Sequence, residues 1–305
     1  MPFLFLLTPW EFLSETLELT MLESQNHPKS ETQTLIWKMT WAWDLTRRQG
    51  LTVFFSILAL ALLLALTAFV LLNLLGFWSL VKPVLTNAQT WEEIDFSAYS
   101  VTKLFSLLLC AIILGWLGQL FSIGLLTLIL QSVDDYHPPS VLVVLFSVFS
   151  RLPVLLPIIT VWFFILTGLN IAVGLASLIP GLGSLINLAG LLFFLILAYC
   201  LNFYLAENDR PTLIEAMSHP FRLVFIDLLL WLAPLGLLLL LWLPPGLILG
   251  LVAGAAAADG SSFFSALLFF TWVIYYLIVT IYFLFLVAIT YRQAESRLTA
   301  GKVGV

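Results

Sequence analysis

Glu207–Arg222 reads ENDRPTLIEAMSHPFR. It separates two long apolar runs, LINLAGLLFFLILAYCLNFYLA before it and LVFIDLLLWLAPLGLLLLLWL after it. Each run is close to the roughly 20 residues a helix needs to cross a hydrocarbon layer about 30 Å thick. Sixteen mostly polar residues between two such runs mark a place where the chain leaves the apolar medium, turns and goes back.

The rest of the composition agrees. The chain has 305 residues, is 62% hydrophobic and 10% charged, and its mean hydropathy is +1.09. A soluble domain of this length cannot bury that much apolar surface with so little charge. The solvent for most of it is therefore expected to be lipid. Six runs are long enough to span: 51–80, 104–130, 152–177, 183–205, 223–243 and 263–290. In lipid every backbone N–H and C=O needs a partner within its own segment, so open-ended spans are helices. Barrel strands would alternate polar and apolar residues, and these runs do not.

The expected fold class is thus all-α, a polytopic membrane protein of six transmembrane helices over residues 34–298. Residues 1–33 read as a poorly ordered acidic leader and 299–305 as a short tail. With six crossings, both termini share a side with the second and fourth loops. That side holds Lys29, Lys38, Arg47, Arg48, Arg151, Arg210, Arg222, Arg292, Arg297 and Lys302, and the other holds Lys82 and Lys103. Basic residues favour the cytoplasmic side. This predicts a plasma (inner) membrane protein with both ends in the cytoplasm.

Within the opening stretch, Thr212-Leu213-Ile214-Glu215 has the form of a capping box. Leu213, Ile214, Met217 and Phe221 fall on one helical face, and Glu215, Ser218, His219 and Arg222 on the other. This predicts a short amphipathic elbow helix lying in the interface plane, with Pro220 bending the chain into the fifth span. Comparable elbows are expected at Thr34–Arg48, rich in Trp37, Trp41 and Trp43, and at Pro139–Arg151. The pattern suggests three copies of an elbow plus a helical hairpin. Pro244-Pro245 is expected to end the fifth span. Gly246, Gly250 and Gly254 then form a small-residue stripe, suited to packing in the bundle or to a homo-oligomer face.

Motifs for chemistry are scarce. His27, His137 and His219 lack metal-ligand spacing, and there is no P-loop, GxSxG or HExxH. Asp134-Asp135 and Glu92-Glu93 read as solvated loop pairs. No catalytic residue, metal or cofactor is assigned, and scattered bases leave no nucleic-acid footprint. Cys110 and Cys200 read as buried free thiols. The candidate intramembrane polar site comprises Asp227, Asn73, Gln119, Asn170 and Asn187, with Asn202 a further polar residue in a span. Ionisable groups in spans are functional suspects by default; Asp227 has the bland alternative of an interfacial ion pair. Arg47, Arg48, Arg151, Arg210 and Arg222 are candidate contacts for lipid head groups or a partner protein. Two functions lead: an accessory or scaffold protein binding lipids or partners at the cytoplasmic face, or a small-molecule or lipid transporter; a third, an intramembrane enzyme, would need two reactive side chains within hydrogen-bonding distance in a cleft.

Two stretches together, YLAENDRPTLIEAMSHPFRLV and LFLVAITYRQAESR, carry a further signal. Their key residues are Leu205–Arg222 and Ala288–Arg292. The pairing resembles the six-helix membrane domain attached to some glycerophosphodiester phosphodiesterases, and related stand-alone bacterial membrane families of unknown function. The resemblance implies the bundle with cytoplasmic elbows. It implies no hydrolase activity, because the catalytic barrel of those enzymes has no counterpart in this sequence.

Overall fold

A computed structural model of the chain describes residues 31–78, 82, 100–135, 140–177, 182–226, 228–258 and 262–303. The described elements are eight α-helices: α1 Glu31–Leu74, α2 Val101–Asp135, α3 Val141–Ser150, α4 Leu152–Ala176, α5 Gly183–Glu207, α6 Leu213–Ile226, α7 Leu228–Ala258 and α8 Ser262–Val303. The described residues contain no strand. Five stretches are long and apolar enough to cross a membrane: Leu35–Leu74, Val101–Asp134, Leu152–Ala176, Gly183–Glu207 and Ala266–Thr299. A sixth crossing results if the bent pair Leu213–Phe225 and Leu230–Leu241 is counted as one interrupted span.

α8 is the central helix. In its span window 61% of residues are buried, against 11–22% in the other four. From Val279 to Tyr291 nearly every side chain is buried, as expected of a helix that is apolar all round. Around it pack α7, the second half of α2, the second half of α5, and α6. α1 contributes Ala42, Leu45, Gln49, Val53, Ser56 and Leu60. Their spacing of three and four residues makes a single helical stripe. An aromatic ladder joins α5 to α8, with Phe203 stacked on Tyr291 at 5.0 Å and Tyr199 edge-on to Phe283 at 6.0 Å.

The core sits toward one end. Phe163, Phe164, Ile171 and Leu175 in the second half of α4, and Leu185, Leu188 and Leu191 in the first half of α5, are exposed. That surface is stable only against an apolar medium. In this half α4 and α5 approach closely at Gly190, where a Cβ would lie 2.7 Å from Val173 Cγ1. Cys110 and Cys200 are buried and free.

Three expectations about breaks need correction, at the first elbow, at Pro220 and at Pro244-Pro245. The first elbow is not a separate helix, because α1 runs uninterrupted from Glu31 to Leu74. The three units are therefore not equivalent. The tail is helical through Val303, and the leader 1–30 lies outside the described residues.

Pro220 does not bend the chain. It lies inside α6, which continues to Ile226, and the 79° bend falls between Phe225 and Leu230. Ala216, Pro220, Leu223 and Val224 are buried together, so packing on one face holds the helix through the missing N–H.

Pro244-Pro245 does not end the fifth span either, since α7 runs on to Ala258. Pro245 has no N–H for the carbonyl of Leu241, four residues back. That carbonyl instead accepts a hydrogen bond from the Tyr275 hydroxyl on α8. A neighbouring helix thus supplies the donor that the proline withholds. Tyr275→Phe should accordingly cost about 1 kcal/mol, read as a lower unfolding midpoint with faster amide exchange confined to α7. Unchanged exchange in α7 would contradict this account.

Candidate functional site

The polar side chains that the fold gathers lie at the well-packed end, where α2 and α5 finish and α6 begins. The sequence explains the turn. α5 stops at Glu207, and Thr212 caps α6: its hydroxyl oxygen accepts from the Glu215 N–H at 3.3 Å and donates to Glu215 Oε2 at 2.8 Å. The capping box is therefore half as expected. The Glu215 carboxylate meets the threonine side chain rather than the threonine N–H.

Arg292, on α8, sits between two carboxylates. Its Nε donates to Asp134 Oδ1 at 3.0 Å and its Nη2 to Asp134 Oδ2, a fork on the end of α2. Its Nη1 donates to Glu207 Oε1 at 2.5 Å, on the end of α5. The Tyr291 hydroxyl donates to the other Glu207 oxygen at 3.2 Å. Planar guanidinium suits this two-sided arrangement. Three helices remote in sequence are joined through one side chain.

Arg151 performs a second function at the same end. It links α3 to α4 and is itself buried. Its Nη1 donates to the carbonyls of Leu205 at 3.1 Å and Asn208 at 2.9 Å. These belong to the end of α5, where carbonyls lack partners within the helix and a cation is favoured. Burial pushes the guanidinium below its ordinary value, and Asp209 opposes that shift. An arginine remains cationic under either influence.

His219 completes the group. Its Nε2 lies 3.0 Å from Glu295 Oε2 on α8, although the two atoms are not aligned as a hydrogen bond. Its ring packs 4.4 Å from that of Tyr204. The expected outward polar face of α6 must therefore be redrawn. At 100° per residue the helix has three strips. Ala216, Pro220, Leu223 and Val224 face inward, with His219 at their margin. Ile214, Met217, Phe221 and Phe225 form an outer apolar strip, in which Ile214 is 80% and Phe225 72% exposed. Glu215, Ser218 and Arg222 form a polar strip, with Glu215 and Arg222 exposed.

The candidate residues thus separate. Arg151 is an internal cap and not a surface contact. Arg48 pairs with Asp44 at 2.9 Å, and Arg47 is exposed beside it. Arg210 and Arg222 are exposed at the network end.

Among the described residues the members of the candidate intramembrane site are not brought together. Asn73 donates to the Phe69 carbonyl at 2.8 Å within its own helix, and Asn170 and Asn187 are exposed on α4 and α5. Gln119 donates instead to Asn202 Oδ1, linking α2 to α5. Asp227 lies outside the described residues. Gly246, Gly250 and Gly254 fall within α7, and a Cβ at Gly250 would meet nothing within 4 Å.

A small cavity between α1, α2 and α3 has a volume of about 10 Å³ and is lined by Ser56, Leu60, Gly124, Leu128, Val144 and Leu145 among others. That is room for at most one water. Among the described residues no three His, Cys, Asp or Glu side chains cluster as a metal site.

Sequence reasoning missed the network itself, treating Asp134 as solvated and His219 as outward. One signal was present: the stretches that carry the resemblance contain Glu207 on one side and Tyr291 and Arg292 on the other, and these residues meet. Compared with known proteins, the chain matches no family model, no curated protein and no solved structure.

Proposed function

We propose that this chain is an integral membrane protein that binds anionic lipid head groups at its network end, in an accessory or scaffold role. We place that end, and both termini, on the cytoplasmic side of the plasma membrane, on the ground that ten of the twelve lysines and arginines then face inward. The observation that carries the reading is α6. Its outer apolar strip adjoins a polar strip with exposed Arg222, and exposed Arg210 stands just ahead of it. An interfacial helix needs that combination: apolar residues for the acyl boundary and a base at head-group level. The resemblance to the phosphodiesterase-attached membrane domain, which carries such elbows, agrees with this reading.

Each base near the surface contributes about 1 kcal/mol toward anionic lipid. Arg210→Gln with Arg222→Gln should therefore weaken retention of anionic lipid in native mass spectrometry by about 30-fold, the equivalent of about 2 kcal/mol. Retention equal to that of the unaltered protein would rule the lipid reading out and leave a partner protein as the occupant of this face. Transport, the alternative, draws no support from the described polar residues: Asn73 bonds within its own helix, Asn170 and Asn187 face outward, and Gln119 is taken up by Asn202.

A further inference from the structure

We infer that α3 and α6 together form a one-leaflet insertion that makes this protein prefer membranes with loosely packed acyl chains in that leaflet. The inference rests on the head-group reading only for the depth of the network end.

α3 has ten residues, about 15 Å at 1.5 Å per residue, half of a hydrocarbon layer about 30 Å thick. With its end held at the network end through Arg151, a helix of that length stays within one leaflet. It contains no charged residue. Val144 and Val148 pack inward, while Leu142, Val143 and Phe146 point away, Phe146 being 77% exposed. α6, with fourteen residues, is about 21 Å long and turns 79° from the stretch that follows it. Its outer strip exposes Ile214 and Phe225.

Both helices belong to the same leaflet because the polar network ties their ends together. Arg292 grips Asp134 and Glu207, the residues that end the spans before α3 and before α6. Arg151, at the end of α3, holds the carbonyls of Leu205 and Asn208, just ahead of α6. The next helices also expose apolar side chains, Val154 and Phe163 on α4 and Leu228 and Leu232 on α7, and α4 is itself long and apolar enough to cross a membrane. With both helices joined directly to such stretches, the occupant that fits their uncharged outer faces is acyl chain. Two helices wedged among the chains of one leaflet bind more readily where those chains are already spread.

The test uses the full-length protein, labelled at its C-terminus and reconstituted in giant vesicles of phosphatidylcholine, with and without phosphatidylserine. A narrow tube is pulled from each vesicle, and labels outside are distinguished by an impermeant quencher. The C-terminal part of α8 lies at the network end, since it carries Arg292 and Glu295. Molecules with this end outward should be enriched on the tube about twofold over a lipid dye, and those with it inward depleted. The triple variant Phe146→Ser, Ile214→Ser, Phe225→Ser changes only exposed positions and should reduce both effects to a ratio of one. A ratio of one for the unaltered protein, or an unchanged ratio in the variant, overturns the inference. Sorting seen only with phosphatidylserine also overturns it and leaves the head-group reading standing. Sorting in both lipids together with charge-independent lipid retention removes the head-group reading instead.

Discussion

Replacing Arg292 with leucine is expected to lower stability by about 2 kcal/mol, a value set between two limits. Exposed ion pairs are worth about 0.2–1 kcal/mol, while stripping one partner from a buried pair costs about 3–5 kcal/mol. The side chains of Arg292, Asp134 and Glu207 are 28%, 40% and 37% exposed, so neither limit applies. Loss of the guanidinium also leaves two carboxylates sharing one site with no cation between them, which is unfavourable in itself. Adding Asp134→Asn and Glu207→Gln to Arg292→Leu should recover more than half of the loss. Equilibrium unfolding in mild detergent with increasing denaturing detergent measures both. A single variant as stable as the parent, or a triple variant no better than the single, would show that Arg292 acts through its alkyl packing and not through its charge.

The second large effect is expected at Arg151. Arg151→Met keeps the length of the aliphatic stem and removes the donor to Leu205 and Asn208. Leaving such carbonyls without a partner costs about 1–3 kcal/mol, and the Leu205 contact is buried. Asp209 adds little to this, being 87% exposed at 3.5 Å. Arg151→Lys should rescue only part of the loss, because an ammonium cannot reproduce the planar, multi-donor geometry. Hydrogen exchange is the sensitive readout. Protection should fall at the end of α5 and across α6, whose entry the cap secures, and change little in α7. Lipid retention should depend on Arg210 and Arg222 far more than on Arg151. If Arg151→Met instead loses lipid at full stability, its place as an internal cap is wrong.

These expectations show what could be read without coordinates. The medium, the helical class and the approximate crossings were legible, because an apolar run of about 20 residues has few other fates. The turn after Glu207 and the Thr212 cap were legible for a local reason: the interacting groups are three residues apart. The prolines misled because their local meaning is to break. At Pro245 the answer depended on Tyr275, which is 34 residues from the carbonyl it satisfies.

The polar site was the least legible part. Arg292 meets Asp134 across 158 residues and Glu207 across 85, and Arg151 meets Leu205 across 54. No pattern of spacing records such partners. An arginine bound for a lipid phosphate and one bound for a helix end look alike in sequence, since both sit beside an apolar run.

By itself, then, the sequence determined the apolar medium, the helical class and the turn after Glu207, through apolar run length and residues a few positions apart. Tertiary structure alone decided which charges are consumed inside the protein and which face outward. That choice depends on the convergence of α2, α5, α6 and α8 at one end, and only packing in three dimensions brings those ends within reach of a guanidinium.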